Sequence, residues 1–356
     1  MTETRTSIGP IGWCLVSALL FGASTPAAKP LVDDMGPVFL SGVLYWGAAL
    51  GVAPWALRDW RGQRGRRAAT ARARGHLLGA AFFGGVVGPV LLLWGLSLAP
   101  AGSVSLWLVL ETVATAVLAR LFFREHLGAY GWFATALVVV ASALLTEPGP
   151  AGIQAVTLVA LACVAWGLDN NFTALIDGYS TTEITAFKGV TAGLVNVPIG
   201  LWLGGVVEGP SLLAGLVIGA LGYGASLVLY TAGAQQLGAT RSQLCFSTSP
   251  LFGLATAALV LGESLGAAHL VSISLMALAI WLLERESHEH VHAHEATEHT
   301  HWHRHDDGHH DHAHDDAAAG TLWHQHRHRH AAQTHRHPHR PDLHHRHSHA
   351  DEDDQT

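Results

Sequence analysis

The chain has 356 residues, 49% of them hydrophobic and only 13% charged, with a formal net charge of −7. Residues 1–285 carry 14 Lys+Arg against 13 Asp+Glu and three histidines (His76, His126, His269), whereas residues 286–356 carry 6 against 14 and 23 histidines. The second part has almost no large aliphatics to offset the entropy of ordering, which excludes a second packed domain and predicts a disordered His-rich tail.

In chain order, ten apolar segments follow one another at about 9–30, 36–57, 76–97, 101–123, 128–146, 152–176, 181–203, 211–233, 239–262 and 266–284. Each is long enough, as a helix, to cross a hydrocarbon core of about 30 Å. The expected fold is therefore an all-α polytopic membrane protein of about ten transmembrane helices in a lipid bilayer. Arg5 before the first segment and small residues near its end mimic a secretory signal, but nine further segments argue that it is a retained span. The three cysteines, Cys14, Cys163 and Cys245, lie in apolar stretches without paired spacing, so neither a disulfide framework nor a Cys-based zinc site follows.

Arginines set the orientation. The loop after the second segment holds Arg58, Arg61, Arg64, Arg66, Arg67, Arg72 and Arg74, and Arg120, Arg124, Arg241 and Arg285 fall on the same side. The alternate loops hold Asp33, Asp34, Glu147, Glu208 and Glu263 without arginine. The positive-inside rule then places both termini in the cytoplasm of a cell whose inner (plasma) membrane the chain spans repeatedly. A basic loop between two spans reads as topology, with no nucleic-acid partner implied.

Two stretches echo each other. "FFREHLG" at 122–128 and "VLGESLG" at 260–266 stand 138 positions apart, and Phe21-Gly22 of "LLFGASTPAAK" matches Trp166-Gly167 of "VAWGLDNNFTA". The chain divides into residues 1–148, 149–285 and the tail 286–356. The first two parts are five-helix units, and because five is odd the second enters the membrane inverted, as in many secondary transporters. Gly84/Gly88, Gly189/Gly193 and Gly215/Gly219 have GxxxG spacing, which serves packing within the monomer or a homodimer face.

"WGLDNNFT" (166–173), "FKGVTAGLVN" (187–196), "GALGYGASLVLY" (219–230) and "GATRSQLCFSTSPLFG" (238–253) leading to "LGESLG" resemble the EamA-type permeases of the drug/metabolite transporter superfamily. The resemblance covers about residues 9–285. It implies ten helices in two inverted repeats and transport of small metabolites, commonly export, without fixing a substrate. The ninth segment has the family's proline, Pro250, whereas the fourth has Thr112 after Glu111.

Ionisable residues at membrane depth are functional candidates because they cost several kcal/mol unless paired or hydrated. Glu111, Asp169 beside Asn170 and Asn171, and Lys188 qualify. Asp169 and Lys188 are each nine to ten positions from the turn near residue 178, so at about 1.5 Å per residue they reach one depth. They form either a structural pair or part of a transport cavity, in which Asp169 or Glu111 exchanges protons and Lys188 meets an anionic group. Pro26 and Pro250 are expected to break their helices beside Ser24, Thr25, Ser247, Thr248 and Ser249, which either bind substrate or re-satisfy the backbone.

The tail's histidines alternate as HxH. His299, His301, His303, His305, His309, His310, His312, His314, His324, His326, His328, His330, His344, His345, His347 and His349 are candidate ligands for divalent Zn, Ni, Co or Cu. "HPHRPDLHHRHSH" at 337–349 resembles a His-rich tail of some EamA relatives. No P-loop, HExxH or nucleophile elbow in a strand-to-helix context occurs, so an enzyme is disfavoured and no cofactor is required. The leading expectation is a secondary metabolite exporter with a metal-binding regulatory or collecting tail. The alternatives are a divalent metal efflux carrier and a membrane-anchored metal buffer or sensor.

Overall fold

Backbone polar groups in lipid have to be satisfied within the segment, and the described part of residues 9–285 meets that requirement mostly as helices. The computed structural model describes residues 9–62, 70–123, 129–173, 175–176, 179–205, 209–237 and 245–285, and in the tail 288–294, 298–303, 324–329 and 333–339. By contacts the chain forms two units, Met1–Arg285 and Glu286–Thr356.

In the first unit α1 is Pro10–Met35, α2 Pro37–Gly62 and α3 Ala71–Leu98; α4 comprises Ala101–Trp107 and Leu110–Phe123 joined by a turn. Then come α5 Ala129–Leu144, α6 Pro150–Thr173, α7 Thr181–Trp202, α8 Gly209–Leu237, α9 Ser249–Val260 and α10 Ala267–Arg285. Among the described residues seven of these are long and apolar enough to span a membrane, and α5, α9 and α10 are shorter apolar helices.

Local signals place the ends. Pro10 and Pro37 open their helices where a missing N–H costs nothing. Gly36, at φ 74°, ends α1 in a conformation that disfavours a side chain, and its N–H donates to the Val32 carbonyl at 2.9 Å. Ser180 and Glu183 form a reciprocal capping box at the start of α7, with bonds of 3.2 and 2.8 Å. The expected break at Pro26 does not occur: α1 runs through Pro26 and Pro30 to Met35. At Pro250 the expected break is present: helical Cys245–Phe246 gives way to a turn at Ser247–Thr248, and Pro250 sits in the first turn of α9 that follows.

Both α3 and α8 contain a seven-residue π-helical segment, Ala81–Val87 and Gly219–Ala225, and the two begin 138 positions apart. Glycines let the helices meet. A Cβ at Gly84 would fall on the Asp169 carboxylate, at Gly88 on Trp166, at Gly189 on Tyr45 and Ala49, at Gly193 on Trp46, at Gly215 on Val43 and at Gly219 on Leu44. All six GxxxG glycines thus face other helices of the same chain. Asn196 of α7, buried, donates to Ser41 Oγ at 3.0 Å and to the Val86 carbonyl at 3.1 Å, tying α7 to α2 and α3.

In the tail, where the sequence predicts no regular structure, the described stretches are short strands: β1 His288–His294, β2 Glu298–His303, β3 His324–Arg329 and β4 Gln333–His339. β1 pairs antiparallel with β4 and β2 with β3. HxH alternation is also the period-two pattern of a strand, and the register sets His290 opposite His337, His292 opposite His335, His301 opposite His326 and His303 opposite His324.

Candidate functional site

Asp169 lies one turn before the end of α6, and Lys188 about two turns into α7. The short link between these helices brings them to one depth, and Lys188 Nζ stands 2.5 Å from Asp169 Oδ1. Thr173, one turn beyond Asp169, donates to that carboxylate at 3.0 Å and accepts from Lys188 at 3.3 Å. Asp169 is buried and Lys188 half-buried. Two charges removed from water persist here because each has its opposite and a shared hydroxyl.

The floor under this pair is the π segment of α3. There the Gly88 N–H bonds to Phe83 O, so the next donor in π register belongs to Pro89, which has none. The Gly84 carbonyl, left without a helical partner in that register, accepts instead from Tyr45 Oη of α2 at 2.5 Å and from Trp166 Nε1 of α6 at 3.0 Å. Having no side chain, Gly84 also gives room to the Asp169 carboxylate. One proline and one glycine thus hold α2, α3 and α6 around the ion pair.

Glu111 forms a second centre on α4. Its Oε1 accepts from Asn170 Nδ2 at 3.0 Å, and the same amide reaches Thr115 Oγ1 at 3.2 Å. Asn171 donates to Gly167 O of its own helix at 2.7 Å and to Thr115 O of α4 at 3.4 Å, so of the two asparagines Asn170 faces the carboxylate. Burial divides α4 between its ends. Every residue from Ala101 to Val109 is buried, whereas from Leu110 to Leu118 only Val113 is. Asn170 is exposed and Glu111 partly so; this centre opens toward the end of the bundle where α4 and α6 terminate.

Two of the hydroxyls expected at helix breaks bond backbone carbonyls of their own segment. Ser24 Oγ donates to Phe21 O at 2.6 Å and Thr248 Oγ1 to Cys245 O at 2.6 Å, while Ser249 is buried with its carbonyl against Gly22. Thr25 is buried too. Ser24 packs on Gly222 in the π segment of α8, as Asp169 packs on Gly84 in α3. Aromatic rings line this half: Phe21 lies 5.9 Å from Tyr223 and 5.3 Å from Phe246, and Tyr45 lies 5.6 Å from Tyr223.

Residues 9–147 and 153–285 each match the family described as EamA-like transporters. The chain belongs to the EamA-like transporter family. An uncharacterized transporter of Methanothermobacter thermautotrophicus is 26% identical over 290 residues, spanning 76% of this chain and 84% of that protein. A solved crystal structure has the same fold at a TM-score of 0.56 and 16% identity, covering 78% of this chain and 98% of the other. The protein is accordingly a multi-pass membrane transporter of small substrates, and its family consists of transporters, not enzymes.

In this EamA-like transporter Glu111 of the first repeat joins Asp169 and Lys188 of the second. The repeat places uncharged Ser24 where the second half has Asp169. Tyr45, Trp166, Thr173 and Thr115 were not singled out from the sequence. Thr173 and Thr115 each stand four positions after an acidic residue, the spacing that shares a helix face, and could have been found by it. Tyr45 and Trp166 carry no such signal, because their partner is a backbone carbonyl freed by Pro89. Of the tail histidines, His299, His301 and His303 lie on β2 and His324, His326 and His328 on β3. His305, His309, His310, His312, His314, His330, His344, His345, His347 and His349 lie outside the described residues.

Proposed function

We propose that this protein is a secondary exporter of a small ionisable metabolite that works by alternating access, with Asp169, Lys188, Glu111 and Asn170 lining its path. The observation that carries this reading is Glu111. Its carboxylate, in a membrane span and partly open, accepts a hydrogen bond from a neutral amide while the nearby cation is held by Asp169. Such a group is suited to exchange a proton for the substrate, and Lys188 to meet an anionic group when Asp169 releases it. The aromatic half offers an apolar wall. Both termini and the Arg58–Arg74 loop face the cytoplasm of the inner membrane.

The tail is proposed to bind divalent Zn, Ni, Co or Cu as a regulator or collector. What supports this is composition, together with a register that sets pairs of histidines opposite one another on shared faces of two short ladders. Among the described residues, in the membrane unit and in the tail ladders alike, no three His, Cys, Asp or Glu side chains converge as a metal site.

The test is flux in proteoliposomes across a panel of amino acids, other small organic ions and divalent metals under an imposed pH gradient. We expect uptake of an organic ion that Glu111→Gln uncouples from the gradient. Metal flux that survives deletion of residues 286–356 would instead establish the efflux-carrier alternative.

A further inference from the structure

Two side chains from different repeats converge on the turn between α3 and α4. Lys29 of α1 donates through Nζ to the carbonyls of Leu96, at 2.5 Å, and Ala99, at 3.1 Å. Glu263, in the link between α9 and α10, accepts from the amides of Ala101 at 2.7 Å and Gly102 at 2.8 Å. These are backbone groups that helix ends leave unpaired, and the charges suit them: a cation on the C-terminal carbonyls of α3, a carboxylate on the N-terminal amides of α4. Gly262, at φ 69°, turns the chain so that Glu263 reaches back.

A turn at the membrane surface can satisfy such groups with water. This one is drawn into the bundle, with Ala99 and Ala101 buried, and it lies at the end where α4 is sealed from Ala101 to Val109. Glu111 and Asn170 open toward the other end. The repeat that aligns Gly22 with Gly167 puts Ala174 where the first half has Lys29, while Glu263 has Glu125 as its counterpart, so it is the cation that distinguishes the two ends.

We propose that Lys29 and Glu263 are the gate that closes the transport path at the α3–α4 end, and that the structure shows this gate shut. The gate rests on the transporter reading given above. Its α3–α4 end is the side away from the Arg58–Arg74 loop. To open it, α1 and the α9–α10 link move off the turn, and water replaces four charge-assisted hydrogen bonds. That exchange makes the closure reversible without a break in the apolar packing around it.

The test reads thiol accessibility instead of flux, so a wrong substrate class leaves it intact. In a background carrying Cys14→Ala, Cys163→Ala and Cys245→Ala, Ser105→Cys introduces a thiol about one turn below the clamp. Ser105 is 1% exposed and its hydroxyl has no hydrogen-bond partner, so the exchange removes no bond. A membrane-impermeant maleimide is applied from each side of sealed vesicles. Labelling from the α3–α4 side should be slow in the parent. It should rise at least tenfold in Glu263→Gln and Lys29→Gln, with little change from the other side. Ala101→Pro gives a second route: at the first helical position proline is tolerated, yet it removes the amide that Glu263 holds, and it should give the same one-sided rise. Unchanged labelling in folded variants, or an equal rise from both sides, would overturn the gate. Failure of all three variants to fold would overturn it as well, because a contact that opens in every cycle is not indispensable to the fold.

Discussion

Lys188 Nζ and Asp169 Oδ1 stand 2.5 Å apart across the α6–α7 hairpin, with the hydroxyl of Thr173 bonded to both partners. Removing one member leaves the other buried and unpaired, which typically costs about 3–5 kcal/mol. Asp169→Asn alone should therefore lower the yield and thermal stability of detergent-solubilised protein. Adding Lys188→Gln should restore most of that loss, and thermal melts of both singles and the double measure the coupling. Restored stability without restored flux would assign the pair to the transport path as well. Additive losses would remove the pair as a stabilising contact.

Gly84→Ala places a methyl group on the Asp169 carboxylate, inside a π segment whose carbonyl already serves Tyr45 and Trp166. Overpacking of this kind costs about 1–3 kcal/mol. A lowered melting temperature is expected, together with loss of the Asp169–Lys188 coupling in the double-mutant cycle. Wild-type stability would show that the Asp169 carboxylate has freedom to move.

The two adjacent asparagines should separate cleanly. Asn171 spends its amide on the carbonyls of Gly167 and Thr115, whereas Asn170 holds Glu111 and Thr115 by their side chains. Asn171→Ala is expected to cost about 1 kcal/mol of stability and leave the pH-gradient coupling of flux intact. Asn170→Ala should alter that coupling with little effect on melting. The reverse assignment would move the proton-exchanging centre away from Glu111.

Metal binding by the tail should follow the imidazole proton. A histidine ligand has to be neutral, and its ordinary pKa is about 6.5, so affinity is full above that value and lost as pH falls through it. Full-length protein should bind more than one Zn or Ni per chain at pH 7.5 by calorimetry, lose most of that at pH 5.5, and lose nearly all of it on deletion of residues 286–356. Capacity retained by the truncated chain would relocate the metal to the membrane unit.

Reporter fusions at residues 65 and 290 should fall on the same, cytoplasmic side, because the arginines of the α2–α3, α4–α5 and α8–α9 loops and Arg285 all fall on one side. Opposite sides would require an odd number of crossings between them and would overturn the ten-helix path.

Hydropathy and arginine spacing made the membrane fold legible, since each span must be apolar over a fixed length. Depth along a hairpin is readable by counting, which sets Asp169 and Lys188 level. What counting could not supply is azimuth: Asp169 and Asn170 are neighbours in sequence yet serve different centres, and nothing in "LDNN" says which amide faces Glu111. The effect of a proline is hidden in the same way. Pro26 leaves α1 continuous, while Pro89, unremarked in the sequence, deprives Gly84 of a donor and thereby recruits Tyr45 and Trp166. The Lys29 and Glu263 contacts bind backbone groups, which carry no residue-type signature.

The matched π segments also date events in the chain's history. An unusual helical register starting 138 positions apart in both halves is most economically inherited from one ancestor that already possessed it. The gene that was duplicated then encoded a five-helix protein with this swollen turn in its third helix, and two such chains inserted in opposite senses would have met as an antiparallel pair. Asp169, which rests against one of these turns where its counterpart Ser24 rests against the other, breaks that symmetry. The two copies have since diverged in what rests on that turn, a carboxylate in one and a hydroxyl in the other.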